Sequence, residues 1–431
     1  MPFCKLAIAN TTSNLMVPLA GLIDTAFLGH LEDIRYLNGV ALASIIFNVI
    51  YWSFNFFRMG TTGPTAQAVG QQDSATVWLI VVRNSLLALS VGLAIWLLKD
   101  PIAALGFSLL QADAETRSAG LDFYNGRILG APAVLVNFVL LGWLLGQRKG
   151  KQVVVLAVVG NFSNIALDYW FIQRLALGSY GAGLATALSQ YLMLTAGLSL
   201  ILFKGVPWQL WGKVKAQLWQ LNALKRLFAL NLDILIRTFA LVISMSLFTN
   251  FSSGMGSTVL GVNALLMQVV LMAAHFMDGI ALAVESYAGH FYGQRRGADL
   301  FRLLWLGAVG SLILGLAIAL TLLIWPDPFF RLLTDHQELL SQIPRYAAWL
   351  LPVLGLGAIA FTLDGYFLGL TASRMLRNAT LLAALVGFLP LAMIASYLNS
   401  PHLLWLALSS LMLTRVITLM RKVSPTLSMK S

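Results

Sequence analysis

Ionisable side chains inside long apolar runs are the residues of this chain most capable of chemistry. A charge in hydrocarbon is costly and marks a function by default. Asp24, Asp168, Asp278, Glu285 and Asp364 all fall in or at the edge of such runs. Asp168 belongs to a pattern: Asn161, Asn164 and Asp168 stand at i, i+3 and i+7, on one helix face, and in the next run Thr186 and Gln190 share a face at i and i+4. Oxygen-rich side chains of this kind suit Na⁺, or a proton held by a hydrogen-bonded carboxyl pair. Polar packing between helices explains the Asn and Thr residues equally well, but explains Asp168 poorly.

Asp24 follows Pro18 by six residues. Proline removes a backbone donor and kinks a helix, so an acid near it could bind a proton or cation and bias the bend. The competing reading is an acid wetted at the end of its run, since Glu32 and Asp33 follow closely. Later in the chain, Gln268, His275, Asp278 and Glu285 form a stripe that could line a cavity and attract a cation. Alternatively, Glu285 and His290 are simply solvated at a helix end. Asp364 is a lone acid beside Gly365, and Asp233 and Arg237, at i and i+4, are expected to neutralise each other.

The elements that must position these residues follow from composition. Of 431 residues, 58% are hydrophobic and 10% charged, against about 25% charged in a soluble domain. Leu303 to Trp325 carries no charge at all, and a helix of that length crosses about 30 Å of hydrocarbon. Apolar runs at residues 6–28, 38–60, 77–98, 121–145, 152–173, 181–203, 227–250, 259–284, 302–325, 346–370, 378–397 and 402–420 predict twelve spans. The first is read as an uncleaved span rather than a signal peptide. The longest polar connection, around residues 204–226, is rich in Trp, Lys and Gln and reads as an amphipathic linker on the membrane surface.

The chain also repeats weakly. Gly142-Trp143-Leu144-Leu145-Gly146 matches Gly365-Tyr366-Phe367-Leu368-Gly369 at an offset of 223 residues, and Gly70-Gln71 and Ala41-Leu42 match Gly293-Gln294 and Ala264-Leu265 at the same offset. This predicts two six-span halves that enter the membrane from the same side, with a substrate path between them, as in transporters.

The net charge of +11 does not call for nucleic acid. Most of the excess is an orientation signal. Arg148, Lys149, Lys151, the cluster Lys204, Lys213, Lys215, Lys225 and Arg226, and Arg421 and Lys422 fall on the side assigned to the cytoplasm. The opposite loops hold only Arg35, Lys99, Arg117, Arg174, Arg331 and Arg345. Both termini are therefore expected in the cytoplasm. The single cysteine, Cys4, excludes an internal disulfide and a Cys-based metal cluster. No Walker A loop and no HExxH motif occur, and the five histidines are dispersed.

Several stretches together carry a family resemblance. They are Val17-Pro18-Leu19-Ala20-Gly21-Leu22-Ile23-Asp24-Thr25-Ala26, Arg58-Met59 through Thr61-Thr62-Gly63 to Thr65-Ala66-Gln67-Ala68, and Leu140 through Gly146. Gly160-Asn161 with Asn164-Ile165-Ala166-Leu167-Asp168, Gly183-Leu184-Ala185-Thr186-Ala187, and Leu363-Asp364-Gly365-Tyr366-Phe367-Leu368-Gly369 complete the set. The sequence resembles the MATE (multidrug and toxic compound extrusion) family, and its DinF branch in particular, over nearly its whole length.

The resemblance implies an all-α integral membrane protein with twelve transmembrane helices in two pseudo-symmetric six-helix lobes. The lobes are expected at 1–203 and 227–431, with a cytoplasmic linker at 204–226. It implies efflux of lipophilic, often cationic compounds by alternating access, in exchange for H⁺ or Na⁺. Asp24 then takes part in cation coupling, and Asn164, Asp168 and Thr186 belong to the same site, which would hold the proton or Na⁺. Pro18 marks the bend of the first helix. Asp364 is the candidate match to the family's acid in helix ten. Asn161, Gln190, Gln268, His275, Asp278 and Glu285 remain a cavity-lining or secondary set.

The expected molecule is not an enzyme and needs no cofactor beyond its coupling ion. It meets small lipophilic or cationic substrates and the lipid bilayer, not nucleic acid. It is expected as a monomer in a bacterial inner membrane. The main rival is a flippase for lipid-linked precursors, which should line a wide cavity with many Arg or Lys to hold phosphates. A membrane-embedded enzyme is a third reading, and no converging nucleophile or metal set supports it.

Overall fold

The structure is a computed structural model. It describes residues 2–427 except 30–32, 34, 111, 204–207, 332 and 335, and the side chains at 17–20, 22–26, 29 and 208 also lie outside the description. Twelve helical spans follow one another: α1 (Pro2–Gly29), α2 (Arg35–Gly70), α3 (Ser74–Leu97), α4 (Ala114–Ile128 and Ala131–Gly146), α5 (Gly150–Arg174) and α6 (Gly178–Phe203), then α7 (Leu221–Gly254), α8 (Ser257–Gly293), α9 (Gly297–Ile324), α10 (Leu350–Gly369), α11 (Ser373–Tyr397) and α12 (Pro401–Leu427). No strand occurs among the described residues. Ten of these helices pass individually as long and apolar enough to cross a membrane, and the bent pair of α4 makes an eleventh. With the 28 residues of α1, they account for the twelve expected runs. Large apolar side chains such as Leu97, Ile313 and Tyr397 point outward, as a lipid-facing surface requires.

The bends have local causes. The two pieces of α4 meet at 52°. Pro132 sits in the first turn of the second piece, where it has no N–H to offer the preceding turn, and Gly92 on α3 leaves room for its ring. Two spans widen into π-helix: α5 at Tyr169–Arg174, directly after Asp168, and α11 at Ala383–Phe388, directly before Leu389 and Pro390. Single π turns inside α-helices recur at functional sites and kinks.

By packing, the chain divides into two compact units. One is Thr12–Lys225. The other joins Arg226 onward with the residues up to Thr11. In the second unit, Leu6 and Ala7 pack on Ala283, Phe3 meets Tyr287 edge-on at 6.0 Å, and Asn10 Nδ2 donates to the Gly279 carbonyl at 3.5 Å. The start of α1 is thus held by α8.

The internal repeat governs contacts as well as letters. Gly142 abuts the Arg58 carbonyl, and Gly365 abuts the Ala281 carbonyl. Gly146 abuts the Thr62 carbonyl, and Gly369 abuts the Glu285 carbonyl. In every case both partners shift by the same 223 residues, so α4 lies on α2 as α10 lies on α8. Close backbone approach through small residues is how helices pack in hydrocarbon.

The turns repeat too. Among the described residues, six other than glycine have positive φ: Gln72 (60°), Arg148 (58°) and Ala176 (52°), and Arg295 (59°), Thr371 (57°) and Asn399 (48°). They form three pairs at that same offset. At the first pair, Gln72 and Asp73 donate to Val69 and Ala68 carbonyls, and Arg295 and Arg296 donate to Tyr292 and Phe291 carbonyls. These are left-handed helix ends that satisfy the last carbonyls.

Candidate functional site

In the unit Thr12–Lys225, Asp168 is fully buried and Asn164 is 5% exposed. One helical turn apart on α5, they meet: Asn164 Nδ2 donates to Asp168 Oδ2 at 2.9 Å. This partner brings no charge. A carboxylate buried within a span is costly and marks a functional site by default. Asp168 also closes the α part of α5, where the wider π turn begins.

α5 packs along α6, with Gly160 facing Met193. Consecutive spans run in opposite directions, so this contact sets Asn164 near the level of Gln190 and Asp168 near the level of Thr186. Thr186 is half-buried and turns its hydroxyl to the Ala182 carbonyl at 3.0 Å. Asn161 turns its amide to the Ala157 carbonyl at 2.7 Å. Gln190 is engaged from α4: Asn137 Nδ2 donates to its carbonyl at 2.9 Å and to its Oε1 at 3.1 Å. Asn137 is absent from the expected set. Its only signal is a lone amide in an apolar run. Nearby in the same unit, the Arg127 guanidinium lies over the rings of Phe47 (4.7 Å), Phe123 (5.5 Å) and Tyr51 (5.7 Å), a cation–π cluster.

The other unit handles its acids differently. Asp364 is not a lone acid. Its Oδ2 accepts from Arg237 Nη1 at 2.5 Å and from Arg415 Nη2, and all three residues are buried. Asp233 does not pair with Arg237 as their helical spacing suggests. It accepts from Arg377 Nη1 at 2.6 Å and from the Ser373 hydroxyl at 2.9 Å. The two residues lie one turn apart on α7, but α10, α11 and α12 supply partners of better geometry.

The MatE family model matches residues 11–170 and 234–413. The chain belongs to this family. The two matched stretches begin 223 residues apart, the offset that relates the glycine contacts and the left-handed turns. The chain is 36% identical over 420 residues to DNA damage-inducible protein F of Escherichia coli (strain K12), covering 96% of this chain and 90% of that one. It is 26% identical to Protein DETOXIFICATION 44, chloroplastic, of Arabidopsis thaliana, over 82% of this chain and 69% of that one. It is 23% identical to a probable multidrug resistance protein NorM of Thermotoga maritima, over 79% of this chain and 74% of that one.

Among solved structures it is similar in fold to a multidrug resistance MATE family transporter in the outward-facing conformation. The TM-score is 0.88 at 19% identity, over 99% of this chain and 96% of that one. A MATE in the bent conformation gives 0.87 at 18% identity, over 99% and 95%. The fold is accordingly that of MATE transporters, twelve transmembrane helices in two lobes.

The remaining expected residues of this MATE protein are scattered in role. Pro18 and Asp24 lie on α1, with side chains outside the described residues. On α8, Gln268 is exposed, His275 turns Nδ1 to the Leu271 carbonyl at 2.7 Å, and Asp278 is half-buried. Glu285 and His290 are not at a solvated helix end, because α8 runs on to Gly293 and buries them to 1% and 8% exposure. No group of three or more His, Cys, Asp or Glu suited to a metal ion occurs among the described residues.

Proposed function

We propose that this MATE protein is an antiporter that exports lipophilic, often cationic compounds by alternating access, driven by inward movement of H⁺ or Na⁺. The observation that carries the reading is the buried Asn164–Asp168 pair at the α-to-π junction of α5. In this reading Asp24, Asn164, Asp168 and Thr186 bind the coupling ion. Binding changes the bend of α1 near Pro18 and releases substrate outward. Substrate entering from inside competes with the ion, and coupling follows if each ligand prefers a different state. The multidrug resistance proteins among the relatives support the substrate class. In this reading the protein works as a monomer in a bacterial inner membrane, and the Lys and Arg asymmetry of its loops supports cytoplasmic termini.

The flippase reading draws less support. It needs basic groups ready for phosphates, yet Arg237 and Arg415 both donate to Asp364. The deciding experiment is efflux of a fluorescent cationic dye from reconstituted vesicles. A pH gradient and a Na⁺ gradient are imposed separately, on the native protein and on Asp24→Asn and Asp168→Asn. Transport driven by one gradient and lost in both variants is expected, and it names the ion. Failure of both gradients to drive dye movement, or unimpaired variants, would overturn the coupling model.

A further inference from the structure

A cavity of about 320 Å³ opens where α2, α4 and α6 end and the chain turns into α3 and α5. Its wall is aromatic and aliphatic: Trp78 and Trp143 stand 5.3 Å apart, with Leu200 and Ile201 of α6 beside them. Trp143 is fixed by donating Nε1 to the Val77 carbonyl at 3.0 Å. The rim is polar and carries both charges: Lys149, and Asp73, whose two carboxylate oxygens accept from the Thr76 N–H and hydroxyl. Lys149 lies 5.2 Å from the Trp143 ring and donates to Gln147 Oε1, and Gln152 adds a second amide.

This corner lies at the edge of the hydrocarbon. α6 ends in Leu202 and Phe203, exposed by 65% and 90%. The helix Trp208–Gln217 that follows is held to α3, because Arg83 donates to the Gln217 and Leu218 carbonyls. Trp211 and Trp219 are exposed there. Tryptophan concentrates at headgroup level, where one end of the ring is apolar and the other wet.

The other unit builds the same corner with different residues. At the 223-residue offset, Trp143 becomes Tyr366, Gln147 becomes Leu370, Lys149 becomes Ala372 and Gln152 becomes Met375. Tyr366 bonds the Thr426 hydroxyl at 2.7 Å, and Gly297, the counterpart of Ser74, abuts the Leu427 carbonyl. There the last turn of α12 covers the corner. One half closes with protein what the other lines with a lysine, an aspartate, three glutamines and two tryptophans.

We infer that this cavity binds the phosphate headgroup of an anionic membrane phospholipid. Lys149 and the amides of Gln147 and Gln152 meet the phosphate, Trp78 and Trp143 carry the glycerol region, and an acyl chain follows Leu200 and Ile201 along α6. The proposal does not depend on the transport reading.

The full-length protein in detergent is titrated with phosphatidylglycerol, phosphatidylcholine and inorganic phosphate, and bound lipid is counted by native mass spectrometry. Phosphatidylglycerol is expected to be retained in preference to phosphatidylcholine. Lys149→Gln is expected to weaken that retention roughly five-fold, the effect of one lysine at a lipid surface. Lys151→Gln, an exposed neighbour outside the cavity, is expected to leave it unchanged. Gln152→Trp, which fills the space and keeps the lysine, should displace the lipid, with unfolding temperature as the check on folding. Equal losses in Lys149→Gln and Lys151→Gln would mean diffuse charge attraction and overturn the site. Displacement of the lipid by inorganic phosphate at matched concentration would overturn the lipid in favour of a free anion.

Discussion

In the unit Thr12–Lys225 the buried carboxylate of Asp168 accepts a hydrogen bond from an uncharged amide, whereas in the other unit Asp364 accepts from two guanidiniums and Asp233 from one. The helices that carry these groups follow one repeated scaffold, so the contrast comes from side chains alone. Asp364 is bonded to two cationic side chains inside its unit. The acid proposed for coupling lies in the first half, and the acids engaged by arginine lie in the second.

The largest expected effect tests that assignment directly. Asp364→Asn removes the charge that Arg237 and Arg415 share, and breaking a buried ion pair from one side costs about 3–5 kcal/mol. A marked fall in thermal unfolding temperature is expected. Asp168→Asn removes a buried charge and keeps a hydrogen-bonding side chain, so its unfolding temperature should stay near the native value while gradient-driven dye efflux is lost. The opposite pattern, a stable Asp364→Asn and an unfolded Asp168→Asn, would reverse the comparison.

Next come the repeated glycines. Gly142→Leu and Gly365→Leu each drive a side chain into a backbone carbonyl of the facing helix, and overpacking costs about 1–3 kcal/mol or more. Similar losses in guanidinium unfolding are expected for the two, because the contact is the same in each half. Unequal losses would show that the halves pack less alike than their offsets indicate.

A smaller effect separates the halves again. Asp73 caps α3, accepting from the Thr76 N–H at 3.0 Å and the Thr76 hydroxyl at 2.6 Å, whereas its counterpart Arg296 gives α9 no side-chain cap. The Thr76 hydroxyl and N–H bonds hold the Asp73 carboxyl below the ordinary carboxylate range. Asp73→Ala should cost about 1 kcal/mol. A depressed pKa stabilises only while the group is ionised. The difference between native and variant is therefore complete above about pH 5, where an unfolded Asp is almost fully ionised, and fades as pH falls through the folded value. Unfolding of both proteins at neutral and acid pH checks the sign.

Smallest are the left-handed turns. Gln72→Gly and Arg295→Gly relieve a conformation that costs a side chain about 1 kcal/mol, partly offset by the entropy of a glycine in the unfolded chain. A slight stabilisation in both, equal within error, is expected.

Much of this was legible in the residue order, for a physical reason. Hydrocarbon admits only long uncharged helices, so the spans can be read as runs. The repeat could be read from a few glycines, because helix contact at close range tolerates nothing larger. The Asn164–Asp168 pair could be read from helical spacing, since both partners sit on one helix. The Asp233–Arg237 pairing was misread by the same rule. Helical spacing brings two side chains near each other, but it does not say whether distant helices offer them something better. Nothing in Gln72, Arg148, Ala176 or Thr371 marks a residue for positive φ, because each is a type that ordinarily avoids it.

The sequence by itself determined how many times this chain crosses the membrane, that it does so in two related halves, and which acids lie within the spans, because these follow from the cost of polar groups in hydrocarbon and from local periodicity. Only the tertiary structure decided that Arg237 and Arg415 serve Asp364, that Arg377 serves Asp233, that the start of α1 is held by α8, and that one corner of the repeat is open where its counterpart is filled. Those outcomes depend on which helices come together across more than a hundred residues of chain, and the energy that selects them belongs to pairs of distant side chains rather than to any one segment.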